Sequence, residues 1–270
     1  MRKIIVGSIV GSALLIAFLG GKDNAYGQSC HGDCFGIETG SDPAPKAVCP
    51  NDMQFVEGDF CPNVLQECLR VDKSIHNVNG YVKCDEFEPT KCLSKNTIHM
   101  AFCIDTYEWP NKKGELPTVM MTWYDMKKNC ESVGKRLCVD NEWTKACEGQ
   151  DNLPYPYGLV RDAGACNIDH AQRPHFDASK DKMTPEMVAY LDQRVPSGSM
   201  ERCVSKYGVH DMTGNVDESV INSSGHPYKS GEKGGAWLFG HRNRCRPMTT
   251  VHNEESAFYE FGGRCCSDPK

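Results

Sequence analysis

The chain has no redox C-x-x-C pair and no closely paired cysteines with histidines behind them. It also has no glycine-rich phosphate loop and no nucleophile elbow. These absences argue against a thioredoxin-type dithiol, a structural zinc module, a P-loop nucleotide site and an α/β-hydrolase triad. Dense positive charge is missing too. Thirty Lys and Arg stand against 36 Asp and Glu, giving a net charge of −6. With the basic residues scattered, neither a nucleic acid nor an anionic membrane has electrostatic support as a partner. Arg242, Arg244 and Arg246 form the one tight basic cluster, and ion pairing inside the fold is its expected role. No internal repeat is visible, and 39% hydrophobic with 24% charged residues is ordinary for a globular protein of one sizeable core.

Cysteine is abundant: sixteen residues spread from Cys30 to Cys266. An even number, widely scattered, suits a disulfide framework formed in an oxidising compartment. The N-terminus agrees. Arg2 and Lys3 precede the apolar residues 4–19, and Ala25-Tyr26-Gly27 offers small residues at a cleavage site. Residues 1–27 therefore read as a secretory signal peptide, and the mature chain as secreted or periplasmic with no membrane association after cleavage. The competing reading, an uncleaved anchor, is weakened by the Gly and Ser interruptions.

Residues 28–50 are short of large apolar side chains and read as a cysteine-containing extension, with Gly40-Ser41-Asp42-Pro43-Ala44-Pro45 as linker. The main domain spans 51–270. Met53-Gln54-Phe55-Val56, a turn at Glu57-Gly58 and Asp59-Phe60-Cys61 suggest a hairpin start, and residues 98–105 a second strand. Thr122 is a good N-cap with Asp125 in the capping-box position. Trp123, Met126, Cys130 and Val133 then form one apolar stripe that Gly134 ends. A second helix over 140–147 carries Trp143 and Cys147 on one face before Gly149, and 183–191 suits a short third. Beyond Gly149 the chain reads mostly as loop. The expectation is an α+β domain of short strands, two central helices and long loops held by cross-links.

Several blocks, taken in order, resemble the sulfatase-modifying-factor domain of the formylglycine-generating enzymes. They are Phe102-Cys103-Ile104-Asp105-Thr106-Tyr107-Glu108 with Asn111, Thr122-Trp123-Tyr124-Asp125, and Gly134-Lys135-Arg136-Leu137-Cys138 with Glu142-Trp143. Tyr155-Pro156-Tyr157-Gly158 follows, then the long block from Tyr207 through Gly208, Asp211, Gly214 and Asn215 to Glu218. Gly234-Gly235-Ala236-Trp237 and Gly262-Gly263-Arg264-Cys265 complete the set. The resemblance implies a C-type-lectin-like fold. Trp123, Trp143 and Trp237 are expected as core anchors.

The resemblance further implies disulfides between Cys130 and Cys265 and between Cys147 and Cys245; Cys138 with Cys266 is a third suggestion. It implies a calcium ion held by Asp211 and Glu218 side chains with Gly214 and Val216 carbonyls, an oxygen set suited to that cation. A second calcium site would use Asn167 and the Ile168 carbonyl. Ser219 stands where the family usually has Trp. The family's copper oxidation uses two cysteines between the Gly-Gly turn and the Arg-rich strand, where this chain has Phe239 and Gly240. Copper-dependent cysteine oxidation is therefore not expected, since Cu(I) is selected by sulfur ligands. The expected function is a secreted binding or structural module for a protein or small-molecule ligand. An oxidoreductase using another metal site, with His210, His241 and His252 as candidate ligands, is the alternative. Asn222-Ser223-Ser224 is a glycosylation sequon, meaningful only in a eukaryotic secretory host.

Overall fold

Two long strands open the domain. In the computed structural model, which describes residues 48–72, 83–173, 183–238, 240 and 242–270, β1 (Met53–Phe60) pairs antiparallel with β6 (Ile98–Asp105) along its whole length. Gly58 pairs with Met100 inside that ladder. The expected turn at Glu57-Gly58 is thus replaced by continuous strand, because β6 supplies a hydrogen-bonding partner through the glycine. The signal segment, most of the expected extension, Phe239 and His241 lie outside the described residues.

The sheet continues as β1-β6-β12-β7, with β12 (Cys265–Ser267) antiparallel to β6 and to β7 (Arg136–Leu137). A second four-stranded sheet has the order β10-β9-β8-β11. Its members are β8 (Asp217–Ile221), β9 (Ser230–Lys233), β10 (Met248–Thr249) and β11 (Phe261–Gly263), and β11 runs parallel to β8. The region beyond Gly149, read as mostly loop, therefore carries most of this sheet. Its strands are only two to five residues long and show no alternating apolar pattern. Arg264 is the single residue between β11 and β12, so the C-terminal strand steps from one sheet to the other there. Two small hairpin sheets pair β2 (Val64–Leu65) with β5 (Lys91–Cys92) and β3 (Cys68–Val71) with β4 (Cys84–Phe87).

Helix α1 (Trp123–Ser132) begins as its sequence dictates: Thr122 Oγ1 accepts the Asp125 N–H at 3.0 Å, and Asp125 Oδ2 accepts the Thr122 N–H at 3.0 Å. Trp123, Met126 and Cys130 are buried as the stripe requires, but Val133 is 52% exposed. It caps the helix outside its last turn, where the stripe no longer faces the core. Helix α2 (Asp140–Glu148) buries Trp143 and Cys147 among Val56, Phe102, Ile104, Met212 and Val220, joining both sheets in one core. Helix α3 (Pro185–Leu191) starts at the Thr184 cap and packs Leu191 near Trp237 and Tyr259.

Among the described residues, seven disulfides tie these elements. Cys130 is bonded to Cys265, Cys147 to Cys245 and Cys138 to Cys266. Cys49–Cys103, Cys61–Cys92, Cys68–Cys84 and Cys166–Cys203 complete the set. The first of these four attaches residue 49, read as part of the extension, to β6. The described residues, from 48 to 270, belong to one compact unit. Among the described residues no helix is long and apolar enough to cross a membrane.

Candidate functional site

The loop between Val209 and β8 carries Asp211, Gly214 and Val216, three of the residues expected to hold calcium, and Glu218 follows as the second residue of β8. Gly214 adopts φ +82°, and a Cβ there would come within 2.4 Å of the Asn167 carbonyl and of Ile168 Cγ2. Only glycine fits that backbone and that approach. The two segments expected to form separate calcium sites, Asn167–Ile168 and the Gly214 loop, are therefore in direct contact. The Asn215 N–H donates to the Asn167 carbonyl at 2.9 Å, and Asn167 Nδ2 donates to Asn215 Oδ1 at 3.0 Å.

At the centre is Arg264, 1% exposed. Its Nε and Nη2 donate to the two oxygens of Glu218 at 2.6 and 2.7 Å. Nη1 and Nη2 also reach the Asp105 and His210 carbonyls. Trp143 Nε1 donates to Glu218 Oε2 at 2.8 Å. Glu108 accepts from Asn215 Nδ2 at 2.7 Å, Ser197 Oγ at 3.0 Å and the Val216 N–H at 3.2 Å. Burial pushes the Glu108 carboxyl well above its ordinary range, and Asp211 and Glu218 nearby add to the rise. Asp211 accepts the Gly198 N–H at 2.7 Å through Oδ2, while its Oδ1 is buried without a partner among the described residues. Burial pushes its carboxyl up to about 6.

Calcium takes six to eight oxygen ligands. Here both Glu218 oxygens are engaged by Arg264 and Trp143, which leaves Asp211 Oδ1 as the open acid oxygen of the expected pair. As arranged, the residues fit a charge-compensated protein network and do not fit a calcium cage. Glu108 and Arg264 complete this network and had no assigned role in the sequence reading. Their signal was a charged residue set inside an otherwise buried block.

The reverse face of β8 holds a second polar cluster. Strand alternation sends Glu218 and Lys233 to the Trp143 side, where Lys233 Nζ lies 5.1 Å above the indole ring. Asp217 and Glu232 point the other way. Arg242 Nη1 donates to Asp217 Oδ2 and, at 2.7 Å, to Thr249 Oγ1. Asp217 Oδ1, Glu232 Oε2 and Glu260 Oε2 are buried without partners among the described residues. Burial, then the charge of Asp217, raises Glu232 to about 8 and Glu260 to about 7.

Internal pairing does hold for two members of the arginine cluster: Arg242 with Asp217, and Arg246 with both oxygens of Glu148 at 2.7 Å. Arg244 lies 5.3 Å above the Phe87 ring. Of the family's two cysteine positions, Phe239 lies outside the described residues. Gly240 borders a crevice lined by Lys83, Tyr155, Arg161 and Asn243 that has no room for a water molecule. All fourteen described cysteines are in disulfides, so no thiol stands within that region.

The candidate histidine ligands are not brought together. His210 stacks on Tyr107 at 5.2 Å, and His252 packs against Phe258 and Phe261 at 4.9 and 5.3 Å. His241 lies outside the described residues. Among the described residues no group of three or more His, Cys, Asp or Glu side chains converges so as to hold a metal ion. The sequon is closed as well: Asn222 is 3% exposed, and its Nδ2 donates to the His226 and Tyr228 carbonyls.

The sulfatase-modifying factor enzyme 1-like domain family matches residues 78–269. The inactive C-alpha-formylglycine-generating enzyme 2 of Bos taurus is 27% identical over 168 residues, covering 58% of this chain and 52% of the relative. Its Mus musculus counterpart is 28% identical over 165 residues, covering 58% and 50%. The chain thus spans about half the length of the curated relatives it matches. The solved structure of CarF aligns with a TM-score of 0.51 at 16% identity, covering 81% of this chain and 98% of that one, a likeness of fold alone.

Proposed function

Because the chain belongs to the sulfatase-modifying factor enzyme 1-like domain family and has its C-type-lectin-like fold, we propose that it is a secreted, disulfide-framed member without the copper-dependent cysteine oxidase, acting as a binding or structural module. One observation carries this reading. The oxidation needs thiolate ligands, and every described cysteine is consumed in a disulfide. Phe239 and Gly240 stand where the reactive pair would be. That both mammalian relatives bear the word inactive in their names supports it. Secretion is supported by the basic, apolar N-terminus and by seven disulfides.

Metal analysis of protein purified without chelator tests this reading. Neither copper nor iron is expected near stoichiometry, and redox-active copper or iron at one per chain would overturn the proposal. The same measurement reads calcium. Near one equivalent would contradict the reading of the Asp211–Glu218 loop as a network satisfied by protein groups.

A further inference from the structure

A groove of about 530 Å³ opens between the end of α1, the loop after β6 and the residues from Ser267 onward. Trp109, Pro50 and Pro110 give it an apolar wall. The backbone of Trp109 is pinned on both sides: its N–H donates to the Gly263 carbonyl at 2.8 Å, and its carbonyl accepts the Thr118 N–H at 2.9 Å. The groove is of ligand-site size and preformed.

Its polar groups are unequal. The donors on its floor are spent. Lys135 Nζ is bonded to Asp52 Oδ2 at 2.5 Å and Asp105 Oδ1 at 2.6 Å. Asn111, held at φ +63°, gives its Nδ2 to the Asp52 carbonyl, Asp52 Oδ2 and Asp105 Oδ1. The acceptors are spent only in part: Lys135 and Asn111 take Asp52 Oδ2, and Arg136 takes Asp268 Oδ1, while much of each carboxylate still faces solvent. The Asp52 side chain is 51% exposed and that of Asp268 83% exposed, the latter at the rim against Arg136. The groove also takes in Val133 and Gly134, the C-terminal end of α1, whose last turn has no basic residue to balance the helix dipole. Lys270 stands exposed at the rim.

A site whose fixed donors are satisfied, whose carboxylates face solvent and whose wall is an indole suits a ligand that brings its own positive donors. We propose that this groove binds the ammonium or guanidinium end of a ligand, stacked on Trp109 and paired with Asp52 and Asp268. The acidic balance of the chain works in the same direction. The site lies apart from Gly240, so it stands whether or not the family's oxidation is lost.

Tryptophan emission offers a local readout. Trp143 and Trp237 are fully buried and Trp123 is 8% exposed, whereas Trp109 is half-buried at the groove. Nα-acetyl-lysine methylamide and Nα-acetyl-arginine methylamide are titrated into the intact protein, with Nα-acetyl-norleucine methylamide as the uncharged match. Saturable emission changes are expected for the two cations only, weakened by roughly two- to fivefold in Asp268→Asn and lost in Trp109→Phe. No saturable change with either cation, an equal response to the norleucine probe, or an undiminished response in both variants would each overturn the proposal.

Discussion

Glu232, Asp217 and Glu260 each bury a carboxylate oxygen that has no hydrogen-bond partner among the described residues, with Arg242 as their shared cation. Burial raises Glu232 to about 8, so the folded chain holds its proton more tightly than the unfolded chain does. The stability this contributes is fully present below the ordinary carboxyl range and is lost as pH rises toward 8. Lys233 behaves in the opposite sense. Burial lowers it from 10.5 to about 7, so its contribution is present above 10.5 and is lost as pH falls through 7. The combined contribution of these two groups is smallest near pH 7–8. Glu232→Gln is expected to match the parent near pH 5 and to exceed it progressively up to pH 8, by on the order of 1–3 kcal/mol, in denaturant titrations across that range. Arg264 shows the other side of burial. Arg264→Met strips the guanidinium from Glu218 while Glu108 and Asp211 stay buried, and should cost about 3–5 kcal/mol in the same measurement. The sequence blocks made Asp211 and Glu218 visible as acids in a tight loop. That Glu218 faces an arginine 46 residues downstream depends on the meeting of β8 and β11, which no local pattern records.

The elements divide by how local their causes are. The α1 cap lies within four residues, so Thr122 and Asp125 announced it, and Thr122→Ala should lose about 1 kcal/mol in thermal unfolding. The buried face of α2 was legible for the same reason, through Trp143 and Cys147. The second sheet was not. β10 has two residues and β11 three, and β8 carries Asp217, Glu218 and Ser219 in succession, so their pairing is fixed by tertiary contact and not by periodicity. The disulfides hold these short strands. Cys147–Cys245 spans 98 residues, and replacing both cysteines by serine should cost about 4–5 kcal/mol in the chain-entropy estimate, read from denaturant midpoints.

At the scale of the whole molecule the family's frame persists, and among the described residues every cysteine is in a disulfide. Seven disulfides account for fourteen of the sixteen cysteines, leaving Cys30 and Cys34, both outside the described residues. The frame was readable because its blocks are glycine turns, tryptophan anchors and cysteines in a fixed order. The proposed loss is read at Phe239 and Gly240, because thiolate is not replaceable by a phenyl ring or by nothing at all. The central claim is that this frame no longer oxidises cysteine to formylglycine. Its most direct test is incubation of the purified protein with copper(I), oxygen, reductant and a cysteine-containing sulfatase peptide, with the aldehyde product followed by mass spectrometry. The account predicts no conversion above the protein-free control; copper-dependent turnover of the peptide cysteine to the aldehyde would contradict it.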